Sequence, residues 1–127
     1  MIIRRDQMRA FESYMKASFE DRMVAHMRRG YPRQYAELNR EEDGDEGARR
    51  LVRRAVEKAA ALGARRESSI QQLLEIMLET TAEFELEPSM AWVRSIFDDQ
   101  TLAGGTRILL AHQKLPEHLA RAGRNEA

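Results

Sequence analysis

The sequence predicts an all-α fold: a compact bundle of about five helices built on a long N-terminal one. Three observations carry this expectation. Apolar residues recur at steps of three and four along most of the chain. No stretch of useful length alternates with the period of two that a strand requires. Glycine and proline cut the periodic runs into helix-sized pieces. The 127 residues fit one domain, long enough to bury a core without disulfides, and the chain has no cysteine.

The first run places Met8, Phe11, Met15, Phe19, Met23 and Met27 on one stripe, predicting a helix over about 6–29. Gly30 offers a C-cap, and Tyr31-Pro32 interrupts what precedes it. Pro32 suits the first position of a short helical turn over 32–38. The acidic, glycine-containing stretch NREEDGDEG predicts a loop over 39–47. Asp45 then reads as the N-cap of a second helix, whose buried stripe is Leu51, Val52, Ala55, Val56, Ala59 and Leu62, ended by Gly63.

A third helix is expected over 67–85, capped by Ser68 or Ser69, with Ile70, Leu73, Leu74, Met77, Leu78 and Phe84 inside. Thr80-Thr81 weakens it through β-branching. Pro88 can begin a fourth helix over 88–100, rich in Met90, Trp92, Val93, Ile96 and Phe97. Asp98-Asp99 is unfavourable at a helix C-terminus, so it marks a stop or pairs with an arginine. Gly104-Gly105 separates a short last helix over 106–114, after which Pro116 and a frayed tail over 120–127 are expected.

Composition excludes several functions. Without cysteine there is no thiol chemistry, zinc-thiolate site or iron–sulfur cluster. No apolar run is long enough for a signal peptide or a membrane span, so a cytoplasmic chain with no membrane partner is expected. His26, His112 and His118 are too scattered to set a metal site, and no metal or other cofactor is expected. His26 instead suits the last turn of a helix, where its ring meets free carbonyls. None of Ser13, Ser18, Ser68, Ser69, Ser89 and Ser95 sits in a glycine-flanked elbow. Glu83, Glu85 and Glu87 could do acid–base work, but an acidic run at a helix end is ordinarily solvated. The AGGTR of residues 103–107 has the glycines of a phosphate loop without its lysine or spacing, and reads as a turn. No catalytic residue emerges, and a non-enzymatic protein is expected.

The 21 basic and 21 acidic residues cancel, but they fall in blocks. Residues 49–66 carry a net +6 and residues 67–100 a net −7. Arg49, Arg50, Arg53, Arg54 and Lys58 form a basic helix face opposite an apolar one. That face could follow a phosphate backbone. Zero net charge, no aromatic residue among the arginines and no helix-turn-helix spacing disfavour nucleic acid. The face can equally meet acidic residues within the chain or on a partner protein. Seven methionines, six on apolar stripes, read first as core filling and second as an adaptable partner groove.

The order of His26-Met27-Arg28, Tyr31-Pro32, Gly63, Glu83-Phe84, Pro88 and Trp92, with the opening Ile2-Ile3-Arg4 and Gln7-Met8, resembles a family of small cysteine-poor bacterial proteins. These are encoded beside type VI secretion spike and toxin genes. The similarity covers about residues 2–112. The chain departs from the pattern at Met27, where the family has leucine, and at Tyr31, where it has phenylalanine. It departs also in the acidic insertion over 39–47 and in a weakly capped third helix. The resemblance implies an adaptor or chaperone-like accessory that binds a secretion effector or spike component, or else an immunity protein that neutralises a cognate toxin. It assigns no active-site residues. Candidate partner-binding residues are Arg50, Arg53, Arg54 and Lys58 on the basic face, and Tyr31 and Tyr35 at the corner after the first helix. A homodimer through the first helix is compatible with the same sequence, and a nucleic-acid-binding regulator is the third reading.

Overall fold

The computed structural model describes the backbone of residues 5–126 and the side chains of residues 15–121. The opening Ile2-Ile3-Arg4 and the side chains of Met8 and Phe11 lie outside the described residues. All regular structure among the described residues is helical. Six α-helices and two 3-10 turns replace the expected five helices: α1 Arg5–Gly30, α2 Pro32–Leu38, α3 Glu46–Ala61, α4 Glu67–Glu79, α5 Ala91–Phe97 and α6 Gly104–Glu126, with the 3-10 turns at Phe84–Leu86 and Pro88–Met90. The chain divides into two compact units, Met1–Arg53 and Arg54–Ala127, and the division falls within α3.

In the first unit, α1 packs on α2 and buries Phe19, Met23, Val24 and Met27. Met23 and Met27 thus act as core residues, each worth roughly 1.5–3 kcal/mol of burial. Pro32 occupies the first turn of α2, where its missing N–H costs nothing. The loop before α3 is hydrogen-bonded: the Glu42 amide donates to the Asn39 carbonyl at 3.0 Å. Asp45 does precede α3, and its carbonyl accepts the first helical bond, from the Arg49 amide at 3.0 Å. The side-chain cap comes from elsewhere. Asn39 Oδ1 accepts the Ala48 amide at 2.9 Å while Asn39 Nδ2 donates to the Tyr35 carbonyl at 3.0 Å, so one amide group joins the end of α2 to the start of α3. Gly47, expected in the loop, is inside α3, where a Cβ would stand 1.9 Å from the Leu38 carbonyl oxygen. Only glycine allows that approach.

In the second unit, α3 ends in a Schellman motif. Gly63 has φ +81°, its amide donates to the Ala60 carbonyl at 2.9 Å, and the Ala64 amide donates to the Ala59 carbonyl at 2.8 Å. α4 packs on α6 and buries Ile70, Leu73, Leu74, Ile76, Met77 and Leu78. It stops at Glu79, six residues before the expected end. Thr80 explains the stop: its hydroxyl donates back to the Ile76 carbonyl at 2.6 Å, competing with continuation of the helix. Phe84 is then fully buried from a 3-10 turn, edge-on to Phe97 at 6.0 Å. Pro88 opens a second 3-10 turn, and α5 follows only at Ala91. Asp99 accepts bonds from the Thr101 hydroxyl at 2.5 Å and the Thr101 amide at 3.0 Å, closing the turn after α5.

The largest correction concerns α6. The sequence suggested an end near Lys114, yet α6 runs through Pro116 to Glu126. Proline inside a helix costs about 3 kcal/mol, and the apolar burial of Ile108, Ala111 and Leu115 on the same helix is large enough to offset it. The side chains expected to form a frayed tail lie, beyond Arg121, outside the described residues.

Candidate functional site

The basic face of α3 is engaged with carboxylates of the same chain. In the first unit, Arg49 Nε donates to Asp45 Oδ1 at 2.9 Å, and its Nη1 reaches Asp21 Oδ1 at 2.8 Å and Glu20 Oε1 at 3.2 Å. These bonds, that to Asp45 first, hold the Arg49 proton more tightly than usual. In return the Arg49 guanidinium holds Asp45 below the ordinary carboxylate range. Arg53 donates to Glu20 at 3.0 Å and to Glu46 at 3.0 Å, and its proton is likewise held more tightly, chiefly by Glu20. Arg50 pairs with Glu42. In the second unit, Arg54 pairs with Glu83, and Lys58 pairs with Glu85 and reaches Glu83 Oε2 at 3.3 Å. The positive block of α3 therefore finds part of its complement in the negative blocks beside it in sequence.

Tyr31 and Tyr35 are both half-buried, and the Tyr31 ring meets His26 edge-on at 6.0 Å. The corner of residues 26–35 is thus a packed junction, with Arg33 and Pro32 exposed beside it. Four of the six predicted site residues lie in the first unit and two, Arg54 and Lys58, in the second.

Two features of the second unit escaped the sequence reading. The first is apolar exposure. Leu109 and Leu119 on α6 are 38% and 39% exposed, and Leu86 between acidic neighbours is 72% exposed. Leu109, His112, Pro116 and Leu119 follow one another at steps of three and four, so they share one stripe of α6. On that stripe His112 Nε2 lies 3.1 Å from Glu75 Oε1 of α4. Nearby on the same helix, His118 stacks on Trp92, the ring centroids 3.9 Å apart and the planes 6° from parallel.

The second feature is a cavity of about 490 Å³ between the first turns of α4 and α6, bordered by Arg65, Arg66, Ser69, Gly104, Gly105 and Thr106. Neither Ser68 nor Ser69 caps α4. The cap position is Arg66, without a side-chain cap bond, and both serines stand inside the first turn. The glycines expected to form a turn are the first two residues of α6. A Cβ on Gly104 would stand 2.0 Å from the Leu62 carbonyl oxygen. That carbonyl, at the end of α3, also accepts Arg107 Nη2 at 3.2 Å, while Arg107 Nη1 donates to the Phe97 carbonyl at 2.6 Å. Arg107, only 9% exposed, thereby serves the C-terminal ends of two helices, where positive charge is favoured.

Among the described residues, no group of three His, Asp or Glu side chains is placed to hold a metal ion, and no helix is long and apolar enough to cross a membrane. No protein-family model, curated protein or solved structure matches the chain.

Proposed function

We propose that this chain is a non-enzymatic protein-interaction module of the cytoplasm, and that it acts as an adaptor or chaperone-like accessory of a type VI secretion effector or spike component. The observation that carries the reading is the exposed stripe of Leu109, Pro116 and Leu119 on α6. Apolar side chains at helical spacing suit a partner's helix or apolar segment, which would bury them on binding. The charge pairs of α3 support the same choice over nucleic acid. Arg50, Arg53, Arg54 and Lys58 each already meet a carboxylate, so following a phosphate backbone would require breaking those pairs. The secretion partner rests on the resemblance described above.

Co-expression with type VI spike components and effectors, followed by co-purification, tests the reading. An adaptor is retained by a spike component or by an effector's delivery region. Replacing both Leu109 and Leu119 by glutamate removes that retention while the helical spectrum is kept. Retention by a toxic domain alone, with loss of the toxin's activity, would replace the adaptor role with immunity. Retention that survives the double substitution would remove α6 from the interface.

A further inference from the structure

The cavity between α4 and α6 has the chemistry of an oxyanion site. The first helical bond of α4 runs from the Ile70 amide to the Arg66 carbonyl at 3.1 Å, and that of α6 from the Arg107 amide to the Ala103 carbonyl at 3.0 Å. The amides of Ser68, Ser69, Gly104, Gly105 and Thr106 therefore precede the first acceptors of their helices. Ordinarily a serine, threonine, aspartate or asparagine at the cap position would accept one of them. Here the cap positions hold Arg66, whose side chain only donates, and Ala103, which has no polar side chain. Two helix N-termini thus bring uncapped donors and the positive ends of two dipoles to one cavity.

A side chain inside the cavity makes the same demand independently. Ser69 is only 6% exposed, lines the cavity, and its hydroxyl has no hydrogen-bond partner among the described residues. It faces α6 closely enough that a Cβ on Gly105 would stand 3.1 Å from Ser69 Oγ. The charge on the wall has one sign. Arg65 and Arg66 border the cavity, no Asp or Glu does, and neither arginine has a carboxylate partner among the described residues. This contrasts with Arg49, Arg50, Arg53 and Arg54, which are all paired.

We propose that this cavity binds a phosphate group, held by the Ser69 hydroxyl and the first-turn amides of α4 and α6 and neutralised by Arg65 and Arg66. Its volume, about 490 Å³, exceeds what a bare phosphate ion fills and lies within the range of small-molecule sites. A small phosphorylated molecule therefore fits better than the free ion. The site is independent of the proposed protein contact except at Leu109, which belongs to both.

Calorimetric titration of the full chain at low salt, with inorganic phosphate and adenosine monophosphate as separate probes and chloride as the control, tests the proposal. Both phosphates should saturate and chloride should not. Tighter binding of the nucleotide, by about tenfold, assigns the site to a phosphorylated small molecule, and equal binding assigns it to the free ion. Replacing Arg65 and Arg66 together by alanine should weaken binding at least about tenfold, and Ser69→Ala by about threefold or more. Arg33→Ala, at an exposed arginine of the first unit, should leave it unchanged. In amide NMR spectra the largest shifts should fall on Ser68, Ser69, Gly105 and Thr106. Absence of saturation with either phosphate overturns the proposal. So does equal weakening by Arg33→Ala and the paired Arg65/Arg66 substitution, which would mean diffuse attraction to surface charge.

Discussion

Replacing Gly47 by alanine sets two physical effects against each other. Helix propensity alone favours the change, because alanine in place of glycine in a helix is worth up to about 1 kcal/mol. The packing opposes it. The new Cβ would stand 1.9 Å from the Leu38 carbonyl oxygen and 3.0 Å from Asn39 Oδ1. An ordinary carbon–oxygen contact is about 3.3 Å, so the start of α3 must retreat by about 1.4 Å from the end of α2. At that distance the 2.9 Å bond from the Ala48 amide to Asn39 Oδ1 is stretched beyond use. The cap is worth about 1 kcal/mol, and overpacking against backbone costs about 1–3 kcal/mol more. After subtracting the propensity gain, Gly47→Ala should destabilise the protein by about 1–3 kcal/mol. Gly30→Ala is the control. Its Cβ meets nothing closer than His26 Cε1 at 3.9 Å, so propensity should prevail and the protein should become slightly more stable. Urea denaturation followed by circular dichroism gives both values. A Gly47→Ala protein at least as stable as the parent would refute the argument that glycine is required by the α2–α3 junction.

Three further outcomes follow from the same structure. Phe84→Ala removes a fully buried ring that also meets Phe97 edge-on, and should cost about 3–5 kcal/mol in the same denaturation assay. Pro116→Ala restores a helical amide inside α6 and should raise stability by about 1–3 kcal/mol, read as a higher melting temperature. Asp45 should titrate below the ordinary value of 3.8 when followed by carbon NMR, because Arg49 stabilises its ionised form. Its folded pKa lies below that of the unfolded chain, so its contribution to stability is complete above 3.8 and is lost as pH falls through the folded value. Arg49→Met should return the titration towards 3.8.

Helical periodicity was the legible part of the fold. The burial of Phe19, Met23 and Met27, of Leu51, Val52, Ala55 and Ala59, and the Gly63 stop all depend on neighbours within one or two turns, whereas Met15 and Val56, expected on the same buried stripes, are 41% and 37% exposed and Leu62 is half-buried. What failed depends on longer range. The cap of α3 comes from Asn39, nine residues before the amide it accepts. Glu20 meets Arg49 and Arg53 from about thirty residues away, so the charge blocks were visible in the sequence but their pairings were not. Pro116 predicts a break from local cost alone, and the burial that α6 achieves around it is visible only in the fold. The Thr80 back-bond, by contrast, is local, and the β-branched Thr80-Thr81 pair foreshadows it. The cavity left a trace in the sequence: neither Arg66 nor Ala103 can accept a hydrogen bond through its side chain, although each immediately precedes a helix. Only the fold brings those two helix starts to one cavity.

Hydrogen exchange of the chain alone and in complex with its co-purified partner tests the proposed role most directly. Contact through α6 predicts slowed exchange concentrated over residues 109–119, with residues 46–58 unchanged. Slowing confined to the arginine-bearing turns of α3, or no slowing on α6, would contradict it.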